Sequence, residues 1–350
     1  MQLEKVSVER FSLALDAPFL SSAAVFARRE LALITVHGED GSVGRGEVTP
    51  LAEIDGVTID DACDALSTSS LGALTGLEPE ALALALDKLG AQLPACAYAG
   101  LEAALCDLQA RAMKLPLAQL INPEAGKTVL VNAVVSVQSP ADVAAAGQHA
   151  LDAGFTTVKL KVGFSDDRQR VAALRAAVGD AMHIRLDANG AWQAQEAIEK
   201  IDALAEFELE LIEQPVAGND VAGMSRVREA TTVPLVADEG VRNVAQLQRH
   251  VELAACDGIA VKLASSGGLT RAWELVGLAR KAGVFTIVTS SLDGPVGLAT
   301  GVHFAAAIAD NSRAHGLATA NIYSQSTVPS WLTPVQGHIK LPATDGNGVD

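Results

Sequence analysis

Five charged residues recur along the chain at almost constant spacing: Lys161 in VKLKVG, Asp187 in IRLDANG, Glu213 in LELIEQP, Asp238 in VPLVADEG and Lys262 in GIAVKLASS. The intervals between them are 26, 26, 25 and 24 residues. Asp187, Glu213 and Asp238 make a hard, all-oxygen donor set of the kind that suits Mg²⁺, with Mn²⁺ as the alternative. No His or Cys stands at a comparable position, so zinc is not expected. Lysines beside such a cation suggest proton transfer at carbon. A carboxylate held by a divalent cation has an acidified α-proton, because the cation stabilises the enediolate left behind. A lysine near a cation and a second ammonium gives up its own proton more readily. Lys161, with Lys159 two positions away, fits the role of base. Taken singly, Asp187 or Asp238 reads as a helix cap or turn former, and Glu213 as a solvated strand end. Only the set of five points to chemistry.

Elements that could bring the five together are written into the same stretch. Each charge ends a short β-branched run and precedes a turn and a helix-like segment, the pattern of consecutive βα units. Strands are expected at 129–135, 156–162, 183–187, 209–213, 233–237, 258–263, 285–290 and 316–320. Helices fit between them near 140–153, 166–179, 192–207, 223–230, 243–255, 268–282 and 295–309. The fold class is therefore α/β, a (β/α)8-like TIM barrel modified to seven full helices, with the charges at the C-terminal mouth where such barrels do their chemistry. Parity agrees: Lys159 and Lys161 share one face of their strand, as Asp187 does with Arg185 and Asn189.

Residues 1–125 read as an α+β capping domain. It has strands at 3–15 and 31–37, a hairpin return at 41–48, and helices at 59–69, 80–93 and 95–113. Between the first two strands, 17–30 has no period and reads as a mobile loop, a lid over the barrel mouth. The barrel spans 126–322. A tail at 323–350, rich in Pro, Ser, Thr and Gly with one apolar run (GHIKLP), is expected to return to the capping domain.

Composition limits the partners. With 26 basic and 42 acidic residues the 350-residue chain carries a formal charge of −16, which argues against nucleic acid or an anionic membrane. A small-molecule carboxylate is the expected partner, and oligomeric state is left open. The four cysteines lack CxxC spacing and read as small buried residues of a reducing compartment. The start has no apolar leader and no later run of about 20 apolar residues lacks charges or turns, so a cytoplasmic protein is expected.

The order KxK, DAN, EQP, DE and a lysine on the next strand resembles the enolase superfamily, muconate-lactonizing-enzyme subgroup. AGLEAALCDLQARAMKLPLAQLI (99–121) is similar to the last capping helix of that family. The resemblance implies metal ligands Asp187, Glu213 and Asp238, with Lys161 and Lys262 on opposite faces of the substrate. Lys159 and Asn189 would assist near the metal and its carboxylate. Strand seven, FTIVTSSLD, carries no histidine, so the His–Asp dyad of mandelate racemases is not expected; its Ser290 and Ser291 are expected at the substrate. Gly267 and Gly268 in ASSGGL open a helix whose N–H groups could hold a second substrate carboxylate.

VNAVV (131–135), TSSLDGPVGLATGVHFAAAI (289–308) and HGLATANIY (315–323) resemble o-succinylbenzoate synthases of menaquinone biosynthesis, although SLDGP stands where many members carry Glu-Ser or Glu-Thr. Dipeptide epimerases show Asp-x-Asp on the last strand, and LATAN has none. The leading expectation is a syn elimination of water from a cyclohexadiene carboxylate. Lys161 would take the α-proton and assist departure of the hydroxyl, and Lys262 would lie over the ring as a cation–π partner. The alternative is racemisation of an N-acylamino acid, with Lys262 as the second acid/base.

Overall fold

The computed structural model describes residues 2–20, 25–67, 71–310, 312–323 and 327–349. The chain opens with three antiparallel strands, β1 (Leu3–Leu20), β2 (Val25–Gly38) and β3 (Val43–Val48), in the order β1-β2-β3. Alternation along β2 puts Ile34 and Val36 into a core shared with Leu3, Leu74 and Leu101. The helix Ala95–Ala112 lies on this sheet at backbone contact. Gly44 and Gly46 make that possible: a Cβ on either would run into Ala104 O or Gly100 O of the helix. VGRGEV is thus the hairpin return expected at 41–48 and also the bed for a helix.

The stretch 17–30 is corrected by this sheet. Residues 17–20 and 25–30 are strand, paired from Ala14↔Arg28 across an irregularity to Phe19↔Phe26 and Leu20↔Val25. No hydrophobic period marks them because the end of a two-stranded ribbon has no single buried face. Residues 21–24, also within the expected loop, lie outside the described residues.

After a two-residue-spaced pair of short strands, β4 (Thr128–Leu130) and β5 (Ala133–Val135), the chain alternates strand and helix. β6 (Thr157–Lys161), β7 (His183–Asp187), β8 (Leu209–Glu213), β9 (Leu235–Ala237), β10 (Gly258–Val261) and β11 (Phe285–Val288) join β5 in a seven-stranded parallel sheet of sequential order. Seven longer helices follow these strands, from Pro140–Asp152 to Pro295–Ile308. Helices cover one face of the sheet, and the apolar runs of the strands pack beneath them. The expected strand at 129–135 is two strands, because β4 pairs antiparallel with β12 (His338–Lys340) instead of joining the parallel sheet. The expected strand at 316–320 is not formed. In its place His315 bridges Val131, between β4 and β5, and Gly316 bridges Thr289, just past β11, both parallel.

The C-terminal segment does touch the first part of the chain: Asn347 N donates to Asp107 Oδ1 at 2.6 Å and Asn347 Nδ2 to Arg45 O at 3.2 Å. All four cysteines are free thiols. Among the described residues, no helix is long and apolar enough to cross a membrane.

Candidate active site

Strand register assembles the charges. Lys161 on β6 is the cross-strand partner of Asp187 on β7, which is in turn the partner of Glu213 on β8. Asp238 follows β9 directly, and Lys262 lies one residue beyond β10, at the N-cap of a short helix Leu263–Ser266 rather than on the strand as expected. Tight turns leave these strand ends, with Asn189 at φ +44° and Gln214 at φ +40°, conformations seldom adopted by residues other than glycine.

The side chains meet as ion pairs. Lys159 Nζ lies 2.7 Å from both Asp187 Oδ2 and Glu213 Oε1. Lys161 Nζ donates to Asp187 Oδ2 at 2.6 Å and to Asn189 Oδ1 at 2.8 Å. Lys262 Nζ donates to Asp238 Oδ2 at 2.6 Å. The three carboxylates are 1%, 2% and 4% exposed, so each depends on these partners. Burial works against the charge of Asp187, but Lys159 and Lys161 override it and hold that carboxyl well below the usual carboxylate range. Asp238 is lowered likewise, Lys262 outweighing burial. Burial also opposes the charge of Lys262, yet Asp238 and Glu213 raise it above an ordinary lysine.

Two further carboxyls behave differently. Burial, and then the neighbouring Asp187, push Glu213 up to about 7. Burial, and then Asp238, push Glu239 up to about 8. Three buried carboxyls and the partly buried Glu239 thus share three ammoniums, and two of the four hold their protons more tightly than a free carboxyl. Among the described residues, no three His, Cys, Asp or Glu side chains are arranged around a common point as a metal needs, since Lys159 lies between Asp187 and Glu213. The donor chemistry nevertheless fits a hard divalent cation: three carboxyls at the ends of neighbouring strands and no soft ligand among them.

The pocket over this cluster is lined by Lys159, Lys161, Asn189 and Lys262 together with the three carboxylates. Phe19 and Phe26 from the β1–β2 ribbon cover it beside Leu51 and Ile54, while Thr289, Ser290, Ser291, Gly316 and Thr319 form one wall. Every residue expected at the chemistry is therefore in one place except Gly267 and Gly268. Those two glycines do not line this pocket: Gly268 is backed by the Glu102 carboxylate and Gly267 by Arg271, and Gly268 N is committed to Leu263 O at 2.9 Å. A glycine pair opening a helix looks the same in sequence whichever way its N–H groups face.

Gln214 belongs to the same cluster, though no charge pattern marks it. Gln214, 1% exposed, accepts at Oε1 from Asp238 N (2.8 Å) and Gly240 N (3.1 Å) and so ties the turn after β8 to Asp238, just beyond β9. Its place beside Glu213, with Pro215 next, was the available signal.

Comparison with known proteins fits this picture. Residues 5–122 match the family described as "Mandelate racemase / muconate lactonizing enzyme, N-terminal domain", and residues 142–350 match "Enolase C-terminal domain-like". An L-Ala-D/L-Glu epimerase of Bacillus subtilis (strain 168) is 32% identical over 87% of this chain and 85% of its own length. An N-succinyl-L-Arg/Lys racemase of Bacillus cereus is 26% identical over 87% and 84%. An o-succinylbenzoate synthase of Thermobifida fusca is 35% identical, but over 62% and 68%. Among solved structures, a dipeptide epimerase from Enterococcus faecalis V583 complexed with Mg and the dipeptide L-Leu-L-Tyr superposes with a TM-score of 0.92 at 27% identity, covering 99% of each chain.

Proposed function

The chain belongs to the enolase superfamily, muconate-lactonizing-enzyme subgroup, and we propose that it is a Mg²⁺-dependent racemase or epimerase acting on the α-carbon of amino acids acylated on nitrogen. The observation that carries this reading is the match over 87% of the chain to an epimerase and to a racemase. The geometry is compatible with it: Lys161 on β6 and Lys262 just beyond β10 approach one carboxylate cluster from either side, bonded to Asp187 and Asp238. The epimerase and the racemase named above are matched over 87% of the chain, and the synthase over 62%. This favours racemisation, the alternative expectation, over the elimination.

Asp187, Glu213 and Asp238 would hold the cation. When bound, Mg²⁺ stabilises negative charge on the substrate carboxylate as the α-proton leaves. Lys161 takes that proton from one face and Lys262 returns one to the other, with the roles exchanged for the opposite enantiomer. Lys159 and Asn189 steady the carboxylate end. Phe19 and Phe26 act as a lid that excludes water from the charged floor. We read 1–125 as the capping domain, 126–322 as a (β/α)8-like barrel in which 315–316 stands for the eighth strand, and 323–350 as the returning tail. The free thiols suit a reducing compartment such as the cytoplasm.

The elimination is kept as a second reading because LATAN, at the last strand position, carries no acidic pair for a substrate ammonium. Polarimetry tests the assignment. Purified protein with Mg²⁺ should bring N-acetyl- or N-succinyl-amino acids to zero rotation. A protein that leaves every such compound optically unchanged, yet forms an aromatic product from the cyclohexadiene carboxylate, would be the synthase.

A further inference from the structure

The helix Asp167–Val178 buries Val171, Leu174 and Val178, and with them the guanidinium of Arg170, which is 1% exposed. A charge in such a place is costly, and an apolar residue would fill it at less expense. Arg170 is bonded chiefly to backbone. Its Nη1 donates to Lys161 O at 2.9 Å and its Nη2 to Val137 O at 2.7 Å. Its ion-pair partner is Asp167, at 3.3 Å. Asp167 Oδ2 accepts in turn from Gly163 N at 2.8 Å and Phe164 N at 3.0 Å, and the Phe164 ring lies 4.8 Å from the guanidinium. One carboxyl therefore folds the turn after β6 and holds Arg170 against it.

Strand geometry explains why the two carbonyls need a side chain. The even-numbered residues of β6 and its flanks bond to β7: Thr156 O accepts from His183 N, and Val162 N donates to Asp187 O. The carbonyl of Lys161 therefore faces the other neighbour, β5. β5 ends at Val135, opposite Leu160, so no strand residue stands across from Lys161 on that side. A buried carbonyl there needs a donor. Arg170 supplies it and grips the chain beyond β5 with its other nitrogen, carrying the ladder one step past the end of that strand. The Lys161 side chain springs from the residue so fixed, and its Nζ is held at the far end by Asp187 and Asn189. Those contacts at the tip change when a proton moves, whereas the backbone anchor does not. Lys262 stands beyond β10, with β7, β8 and β9 between the two lysines. Resting on the two-lysine reaction assigned above, we propose that Arg170 is a positioning residue for Lys161 alone. It fixes the backbone from which one base acts and leaves the base on the opposite face of the substrate untouched.

Exchange of the α-proton in D2O tests this on N-acetyl-L-leucine and N-acetyl-D-leucine with Mg²⁺, using wild type, Arg170→Met, Arg170→Lys and Lys161→Arg. Met fills the buried site without a donor, and Lys keeps the charge and reaches one carbonyl at most. Arg170→Met should lose exchange of one enantiomer by about 10²-fold, the scale of a misplaced reacting group, in kcat and not in KM. That enantiomer should be the one lost in Lys161→Arg. The other should stay near wild type, which also shows the variant to be folded. Arg170→Lys should show the same bias to a smaller extent, and it decides the matter if Arg170→Met does not fold. Mg²⁺ affinity by calorimetry should be kept in both. Equal loss of both enantiomers, loss of the opposite one, or no loss would overturn the positioning role and leave the reaction assignment in place. A wild type that exchanges neither enantiomer but dehydrates the cyclohexadiene carboxylate would sink the reaction assignment instead. Dehydration also runs through Lys161, so Arg170→Met must then slow it with Mg²⁺ affinity kept, and an unchanged rate would overturn the positioning role too.

Discussion

At the scale of single residues, the site is a charge balance in which no member can be altered alone. Glu213 is the most telling carboxyl, since it is buried between two others and pushed up to about 7. Glu213→Gln keeps the shape and removes a charged oxygen donor. Mg²⁺ affinity by isothermal titration should fall by at least about tenfold, on the scale of 1–3 kcal/mol for a hydrogen-bonded or ligated charge lost. Unchanged Mg²⁺ binding would remove Glu213 from the ligand set. The charges themselves were legible in sequence because strand ends fix their spacing, and Asp187, Glu213 and Lys161 fell into register as cross-strand partners. Gln214 was legible only through its place between Glu213 and Pro215. Its bonds to Asp238 N and Gly240 N were not, because no pattern in the chain records which partner an uncharged polar residue finds.

Elements carry these residues by packing that leaves little slack. Gly46 on β3 lies against the carbonyl of Gly100 in the covering helix. Gly46→Ala must push that helix off its sheet, at a cost of about 1–3 kcal/mol, visible as a lower midpoint in urea. A midpoint unchanged from wild type would contradict the backbone contact. The same strand reaches the parallel sheet through Glu47, which accepts from Gly294 N at 2.6 Å and Val296 N at 3.2 Å at the start of the helix Pro295–Ile308. Burial, and then Asp293, push Glu47 up to about 8. The folded chain thus holds a proton that the unfolded chain releases above its ordinary value near 4.5. The associated stability is full below that value and is lost as pH rises toward about 8, by ~1.4 kcal/mol per pH unit if Glu47 acts alone. Glu47→Gln should therefore flatten the decline of the melting temperature between pH 5 and pH 8. An equally steep decline in the variant would show that Glu47 is not its source. The ribbon end formed by β1 and β2 reads as a loop because its few buried residues, Phe26 and Arg29, do not alternate, and only its pairing shows it to be strand. Amide exchange over 17–20 and 25–30 should slow when Mg²⁺ and an N-acylamino acid bind. No change there would remove the lid role.

For the whole molecule, the alternation of strand and helix with a charge at each strand end was enough to read the parallel sheet and its order from the sequence. The way the sheet's edges meet was not. Two residues, His315 and Gly316, do the work of a strand, and so brief a bridge leaves no periodic signal. Nor did the sequence separate reactions that share a floor of three carboxylates and two lysines, because what differs is whether the second lysine moves a proton. Exchange of the α-proton in D2O, followed by proton NMR on N-acetyl-L-leucine and N-acetyl-D-leucine with Mg²⁺, addresses that difference directly. Wild type should exchange both enantiomers. Lys161→Arg and Lys262→Arg should each lose exchange of one enantiomer by about 10²–10⁴-fold, and the enantiomers lost should be opposite. Exchange that depends on Lys161 alone for both enantiomers, or no exchange in a wild type that dehydrates the cyclohexadiene carboxylate, would contradict a two-lysine racemase.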